Sequence, residues 1–349
     1  MSEHLDNINL KKIDPENMLS HIENFPQVCL LAWNEMKKFA PPSYYIKPNK
    51  YVILGMGGSG VSGEIIKDLL KNTNAVVEVV HDYELPGWVD TDTLVIANSY
   101  SGNTEETLSA FMSAKEKGAK LLTITTGGKL KVLSDKFKIP CIEFNYESLP
   151  RAAFAYLFVS LLAFFIKIGR LEITDSDFNK SIETLNEYAN KFKLSNRTQI
   201  NPAKILASKI YDLMPVIYSS GNLISIGKRF KEQLNENAKN FASHEIFPEL
   251  NHNSIEGYHH PKHEVIVLIL ESNYDHSRVV KRQNITAEIL RRNKVKFERI
   301  KFLPCDSPLS EILVATLFCD YVSFYLAVLN NEDPTLIKNI KYLKNELSK

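Results

Sequence analysis

The chain has 349 residues, of which 44% are apolar, and its formal net charge is +1. This length can bury two ordinary domains, and the scattered, balanced charges give no sign of a nucleic-acid or membrane partner. The four cysteines form no C-x-x-C pair, which argues against a zinc ribbon or disulfide scaffold and favours a reducing compartment; they are Cys29, Cys141, Cys305 and Cys319.

Residues 1–48 are predicted to be helical. Leu30, Trp33, Met36 and Phe39 recur there at helical spacing. The start of the chain is polar and acidic, which is not the pattern of a signal peptide. We therefore expect an N-terminal helical segment and a soluble, cytoplasmic protein.

A glycine-rich turn follows the first predicted strand. Residues 51–54 form an apolar run, Gly55-Met56-Gly57-Gly58-Ser59-Gly60 comes next, and residues 61–70 are apolar at helical spacing. Glycines let the backbone approach a ligand closely. The turn also matches the G-x-G-x-x-G of dinucleotide-binding folds, with Asp82 as the acidic residue after the next strand. No Gly-Lys-Ser/Thr follows, which excludes a Walker-type loop.

A second loop of this kind is rich in hydroxyl groups. Ser99-Tyr100-Ser101-Gly102-Asn103-Thr104 follows the apolar run 94–97 directly and precedes an amphipathic helical pattern. Free N–H groups of a first helical turn attract an oxyanion, and hydroxyls add neutral donors. The pattern therefore predicts a phosphate site. The alternative is a simple helix cap, in which Thr104 with Glu106 or Thr107 closes the helix end.

Apolar runs alternate with helical patterns along the rest of the first half, which indicates a parallel sheet covered on both faces. The most apolar segment, residues 152–168, is too short for the usual membrane span and is predicted to be a buried core helix. The further predicted strands are 76–80, 94–97, 121–125 and 140–144.

The second half repeats this alternation after a polar helical bridge. Ser219-Ser220-Gly221-Asn222 occupies the place of a strand-to-helix loop but is poor in glycine. We expect two tandem copies of one fold, with the ligand loops mainly in the first copy. The predicted strands here are 216–218, 265–271 and 297–302, followed by a helix over 310–329 and a tail helix.

Several separated motifs together resemble the sugar isomerase (SIS) domain, and more narrowly the bifunctional phosphoglucose/phosphomannose isomerases of archaea and some bacteria. The resemblance covers most of the chain. Its motifs are residues 55–60, residues 99–106, Pro150-Arg151, Asn235-Glu236-Asn237-Ala238-Lys239, Pro248-Glu249-Leu250-Asn251-His252-Asn253 and Asp333-Pro334-Thr335.

The resemblance implies an α/β fold with two tandem flavodoxin-like SIS domains, whose parallel sheets are flanked by helices. N-terminal helices and a C-terminal helix complete it. We expect a helical segment at 1–48, the phosphate-binding domain at 49–170, a helical bridge at 171–202 and the second domain at 203–349.

The resemblance also implies an enzyme, an aldose–ketose isomerase of sugar-phosphate metabolism (glycolysis, gluconeogenesis). It would interconvert glucose 6-phosphate and mannose 6-phosphate with fructose 6-phosphate through an enediol, without a cofactor or a metal. The phosphate would be held by hydroxyl groups and glycine N–H groups. These belong to Gly57, Gly58, Ser59, Ser99, Ser101 and Thr104.

The remaining catalytic roles rest mainly on the resemblance. Glu236 would carry the proton between C1 and C2, although its position off the apolar helical stripe by itself favours a solvated carboxylate. The stripe comprises Ile226, Phe230, Leu234, Ala238 and Phe241. His252 would open the sugar ring and, as in relatives, reach the site across a homodimer interface. Arg151 would stabilise the enediolate; the alternative is a surface arginine.

Lys344 would assist at the sugar ring, with Lys341 close enough to be confused with it, and Thr335 would contribute to dual specificity. His259, His260 and His263 with Glu256 suggest a metal site, but their spacing in a predicted loop argues against one. Two alternatives stay open: a non-catalytic sugar-phosphate regulator, and an isomerase of amino sugars.

Overall fold

Two parallel β-sheets organise the described part of the chain, which comprises residues 5–146, 148–149, 151–259 and 264–347 of the computed structural model. Each sheet belongs to one of two units. The first unit is Asn24–Ile182, and the second unit joins Met1–Glu23 to Glu183–Lys349. The four-segment division expected from the sequence stays a prediction.

The first unit contains a five-stranded sheet in the order β2-β1-β3-β4-β5, with every neighbouring pair parallel. This is the flavodoxin-like order. The central strands are almost entirely buried, because helices cover both faces of a parallel sheet. The strands are β1 (Lys50–Leu54), β2 (Val76–Val80), β3 (Thr93–Asn98), β4 (Lys120–Thr125) and β5 (Cys141–Glu143).

Helices connect these strands. One core cluster packs Val52 and Leu54 of β1 against Ala110, Phe111 and Ala114 of the helix that follows β3. Two helices before this unit, α1 (Leu10–Ile13) and α2 (Met18–Glu23), belong to the second unit. The helices of the first unit are α3 (Phe25–Met36), α4 (Gly57–Leu70), α5 (Glu105–Glu116), α6 (Gly128–Phe137), α7 (Phe154–Lys167) and the start of α8 (Asp175–Phe192), within which the unit boundary falls.

The second unit repeats the strand order without a fifth strand, as β7-β6-β8-β9, and again all described pairs are parallel. The predicted fold of two tandem parallel-sheet α/β units is therefore confirmed. The elements are α9 (Pro202–Ile210), β6 (Met214–Ser219), α10 (Ile224–Glu236), β7 (Ser243–Ile246), β8 (Val265–Leu270), α11 (Ser277–Arg292), β9 (Lys296–Ile300), α12 (Pro308–Leu329) and α13 (Lys338–Leu347).

Helix α12 is long and apolar enough to cross a membrane by length and composition alone. However, 94% of its most apolar window is buried inside the protein. It packs against α9 and α10 as the central helix of the second unit. Its hydropathy is thus accounted for by burial in the core.

The end of α10 predicted from the apolar stripe is wrong. The apolar stripe was expected to continue through Ala238 and Phe241, but the helix ends at Glu236. Lys239 adopts a positive φ of 52°, and the Asn240 N–H returns to the Leu234 carbonyl, which closes the helix end. Phe241 lies beyond the helix and is 71% exposed.

Candidate active site

The carboxyl ends of β1 and β3 define a crevice in the first unit. These two strands are neighbours, while their connections lead to opposite sides of the sheet, to β2 and to β4. Ligands of open α/β sheets bind at such a topological switch point. Helices α4 and α5 both begin here, and neither N-cap side chain, of Met56 or Thr104, bonds the helix amides. Two helix N-termini therefore lie at one crevice, an arrangement that favours an anion.

The glycine-rich turn brings the backbone of residues 57–60 to this crevice. Gly57 has a φ of 51°, a conformation that side chains other than glycine rarely adopt. The buried Asn98 at the end of β3 donates its amide to the Ser59 carbonyl at 2.9 Å. This bond ties the glycine turn, with Gly58 and Ser59, to the strand that carries the second loop.

The hydroxyl-rich loop places Ser99 and Thr104 side by side, with 3.2 Å between their side-chain oxygens. Thr104 is at the N-cap position, as the capping alternative requires, but its side chain makes no capping hydrogen bond. Ser99 is buried, and Ser101 is exposed with its hydroxyl accepting the Asn103 N–H at 3.3 Å. The loop therefore presents hydroxyls beside the start of α5.

A third loop, Thr125-Thr126-Gly127-Gly128, supports the hydroxyl-rich loop and was not predicted from the sequence. The Thr126 hydroxyl and N–H both donate to the Tyr100 carbonyl, at 2.7 and 3.1 Å. Gly102 has a φ of 64°, and a Cβ there would lie 1.9 Å from the Gly127 carbonyl oxygen. A Thr-Thr-Gly-Gly run after a predicted strand was the available signal.

Arg151 is buried, with 6% of its surface exposed, so the surface-arginine alternative is wrong. It lies three residues before α7. The Tyr100 hydroxyl accepts the Ser148 N–H at 2.8 Å, so that the hydroxyl-rich loop holds Ser148, three residues before Arg151. The structure thus joins the two phosphate-binding loops through Asn98 and Ser59, and it holds Ser148, which is close to Arg151 in sequence, at the hydroxyl-rich loop.

Glu236 is the last residue of α10 in the second unit and is half-buried. Buried polar contacts fix this helix on α12. The Arg229 guanidinium donates to both Asp320 oxygens, at 2.9 and 2.8 Å, and the Asn237 amide donates to the Ser323 hydroxyl at 2.9 Å. The carboxylate of Glu236 is therefore carried on a rigid support.

His252 ends the 3₁₀ turn Glu249–His252 and is exposed. Side-chain bonds hold the surrounding segment to the second unit. The Asn251 amide donates to the Thr286 hydroxyl, and the Tyr218 hydroxyl donates to that of Tyr258, both at 2.9 Å. The hydrogen bonds hold the segment in place, and the exposed imidazole of His252 is free to contact a ligand.

The C-terminal candidates differ in burial. Lys341 and Lys344 lie on α13, which has no buried residue among those described. Thr335 is buried, and its hydroxyl oxygen has no hydrogen-bond partner in the described structure. Glu236, His252 and Lys344 thus lie on three separate elements of the second unit.

The suggested metal cluster has no support in the described residues. His259 ends the 3₁₀ turn Ser254–His259, whereas His260 and His263 lie outside the described residues. Within the described ranges, no group of three or more His, Cys, Asp or Glu side chains could hold a metal ion.

The equivalent crevice of the second unit is occupied by a carboxylate of the chain itself. Asp275 accepts the Ser220 hydroxyl at 2.6 Å and the Gln283 amide at 2.9 Å. Gly221 has a φ of 57°, and a Cβ there would lie 2.5 Å from Asp275 Oδ1. The Ser220 hydroxyl of this loop is therefore already engaged, and a carboxylate lies beside the loop.

A second carboxylate, that of Glu311, lies beside this crevice. It accepts the Ser272 hydroxyl and the Asn273 N–H, and it is fully buried. Burial raises the pKa of Glu311, and the nearby Asp275 charge adds to the rise, while the hydrogen bonds from Asn273 and Ser272 oppose it.

Family models match both units. The SIS domain model matches residues 44–161, and the model of the bacterial phospho-glucose isomerase C-terminal SIS domain matches residues 199–347. The tagatose-6-phosphate ketose/aldose isomerase of Escherichia coli superposes with a TM-score of 0.64 at 13% identity, covering 92% of this chain and 95% of that one. The fold and the crevice define an SIS-domain protein.

Curated relatives narrow the family. A bifunctional phosphoglucose/phosphomannose isomerase of Caldicellulosiruptor bescii is 37% identical over 95% of this chain and 99% of its own length, and one of Thermoplasma volcanium is 34% identical over 91% and 98%. A D-glucosamine-6-phosphate 4-epimerase of Sulfolobus acidocaldarius is 33% identical over 60% and 64%. The chain belongs to the bifunctional phosphoglucose/phosphomannose isomerase family.

Proposed function

We propose that this protein interconverts glucose 6-phosphate and mannose 6-phosphate with fructose 6-phosphate through a shared enediol. The observation that carries the proposal is the switch-point crevice, where two helix N-termini and the Ser99–Thr104 hydroxyl pair meet. Neutral donors suit a phosphate that must be held during turnover and then released. Membership of the family supplies the reaction.

The phosphate is bound by the N–H groups of Gly57 and Gly58 and by hydroxyl groups. The hydroxyls come from Ser59, Ser99, Ser101 and Thr104. The guanidinium of Arg151 stabilises the negative charge of the enediolate, which develops only as the proton leaves C2 or C1. Burial of this guanidinium favours the role, because a charge in a less polar environment acts more strongly on a developing anion.

Glu236 carries the proton between C1 and C2, and His252 moves the proton that opens the cyclic hemiacetal. Lys344 assists at the sugar ring, and Thr335 contributes to the space in which the intermediate turns. Glucose and mannose 6-phosphates differ only at C2, so both give one enediol that can be protonated on either face. The fixed support of α10 favours Glu236 in a proton-transfer role.

We also assign the protein to the soluble cytoplasm and to sugar-phosphate metabolism, as a homodimer in which each site receives His252 from the partner chain. The exposure of His252 supports only the part of this assignment that has it reach a partner chain. No metal takes part in the steps described, since hydroxyl and amide groups bind the phosphate and Arg151 stabilises the negative charge of the enediolate.

A coupled assay tests the activity. Purified protein is given glucose 6-phosphate, mannose 6-phosphate, glucosamine 6-phosphate or free glucose, each with and without EDTA. We expect fructose 6-phosphate from the first two substrates. For each of them, the rate with EDTA should equal the rate without EDTA. Turnover of glucosamine 6-phosphate alone would favour the amino-sugar alternative, and loss of all activity in EDTA with recovery in zinc would refute the metal-free mechanism.

A further inference from the structure

His81 lies at the edge of the phosphate crevice without belonging to either of its loops. It directly follows β2, the strand beside β1. Its Nδ1 is 2.7 Å from the Gly55 carbonyl oxygen, and its Nε2 is 2.7 Å from Oε1 of Glu64 on α4. One imidazole therefore bridges the first residue of the glycine turn and the helix that the turn begins.

The same ring explains why residue 60 is a glycine. A Cβ on Gly60 would lie 2.4 Å from Cε1 of His81 and 2.6 Å from the Gly55 carbonyl oxygen. Such distances are shorter than real Cβ contacts, so any side chain would displace the imidazole or the turn. The two ends of the glycine turn are thus packed around His81.

The Gly55 carbonyl fixes the position of one proton on the ring. A carbonyl oxygen only accepts, so Nδ1 must carry a proton toward Gly55. Glu64 then faces Nε2 and sets the ring orientation, as a carboxylate does for a histidine ligand. In a trans peptide the N–H points opposite to the preceding carbonyl. Holding the Gly55 carbonyl at His81 therefore turns the Met56 N–H away from His81.

We propose that His81 is a positioning residue that presents the glycine turn to the substrate phosphate through its bond to Gly55. It acts through the turn and does not touch the sugar. The inference rests on the proposed function, since it assigns a cause to the phosphate affinity of that same site.

Two isosteric variants separate the two ring nitrogens. The amide nitrogen of His81→Asn can take the place of Nδ1, whereas that of His81→Gln extends toward the place of Nε2. We expect His81→Gln to raise both KM for glucose 6-phosphate and Kd for inorganic phosphate about tenfold, with kcat within about twofold of the wild type. For His81→Asn, KM, phosphate Kd and kcat should each stay within about threefold of the wild-type value.

A matched control uses the other tie between the same two elements. Lys67 of α4 and Glu78 of β2 form a salt bridge, with 3.0 Å between Nζ and Oε2. This salt bridge lies farther from the crevice than His81 does. Lys67→Ala should leave KM and phosphate Kd unchanged, which would show that the effect of His81 is not a general loosening of α4 from β2. Circular dichroism confirms that each variant is folded.

The proposal is overturned if His81→Gln binds phosphate like the wild type, or if the Asn and Gln variants are equally impaired. A fall in kcat with unchanged KM would overturn it as well. Phosphate Kd is measured by calorimetry and does not need turnover. If the wild type binds phosphate but isomerises neither sugar, the proposed function fails while the comparison of Kd values still decides the role of His81.

Discussion

The hydroxyl oxygens of Ser99 and Thr104 lie 3.2 Å apart, across the turn that opens α5. In a hydrogen bond between two hydroxyls, one group donates and the other keeps its own proton for a further partner. Thr104 makes no capping bond, so its hydroxyl oxygen does not occupy the amide N–H groups that open α5. In the proposed function, this remaining proton is donated to the substrate phosphate at the helix N-terminus.

Replacing Ser101 and Thr104 by alanine should weaken the grip on the phosphate. Each substitution removes one hydrogen bond, worth about 0.5–1.5 kcal/mol, or roughly 2- to 13-fold in KM. Steady-state kinetics with glucose 6-phosphate checks the prediction. Ser109→Ala, on an exposed position of the same helix, is the matched control and should be neutral. An unchanged KM in the Ser101→Ala/Thr104→Ala double variant would make this loop purely structural.

Glu236→Gln should nearly stop proton transfer while leaving substrate binding intact. The amide keeps the size of the side chain but cannot accept the proton, and loss of a general base costs about 10²–10⁴ in rate. Solvent tritium should enter C2 in the wild type and not in the variant. Glu232→Gln, four residues earlier on α10, should exchange normally. Normal exchange in Glu236→Gln would assign the base to another residue.

His252→Ala should impair the cyclic substrate far more than an open-chain analogue, because only the cyclic form must be opened. We expect kcat/KM to fall by about 10²-fold or more for glucose 6-phosphate. Stopped assays with both compounds make the comparison. His276→Ala removes another exposed histidine of the second unit. This control should change neither the activity toward the cyclic substrate nor the activity toward the open-chain analogue. Equal losses on both compounds would exclude a ring-opening role.

The homodimer assignment predicts complementation between these variants. If His252 serves the partner's site, mixing the Glu236→Gln and His252→Ala homodimers under subunit exchange should restore activity. One site of each mixed dimer would then combine an intact Glu236 with an intact His252. Activity is followed against mixing time. No recovery, with exchange verified by native mass spectrometry, would place both residues of a site in one chain.

Glu311 should make the stability of the fold depend on pH. Burial raises its pKa above the ordinary value of 4.5, so the folded state binds the proton more tightly than the unfolded state. The contribution of Glu311 to stability is fully present below the unfolded pKa and is lost as pH rises through the folded pKa. The free energy of unfolding of the wild type, relative to Glu311→Gln, should therefore fall over this range. A constant difference would contradict the shift.

The strands could be predicted because buried parallel strands are short apolar runs. The exception is β7, Ser243–Ile246, whose sequence Ser-His-Glu-Ile is polar and only partly buried at the edge of its sheet. The end of α10 was misplaced because closure at Lys239 depends on a left-handed backbone and not on hydropathy. Local pattern does not encode either feature.

The phosphate loops could be located from residue type, since glycine and hydroxyl residues after a strand have a direct physical use. Their supports could not. The contact of Gly102 with Gly127 and the bond of Thr126 to Tyr100 join loops that follow different strands. Contacts of this kind can be predicted only when the order of the strands in the sheet is known.

Asp275 has a consequence for binding stoichiometry. A tandem duplication of a phosphate-binding fold would ordinarily offer two equivalent anion sites per chain. In this chain the Ser220 hydroxyl of the second crevice is already bound by a carboxylate that is covalently part of the protein and never dissociates, and whose negative charge repels a second anion. Titration with inorganic phosphate should therefore saturate at one equivalent per polypeptide, and the duplicated half is left free to supply side chains instead of a second site.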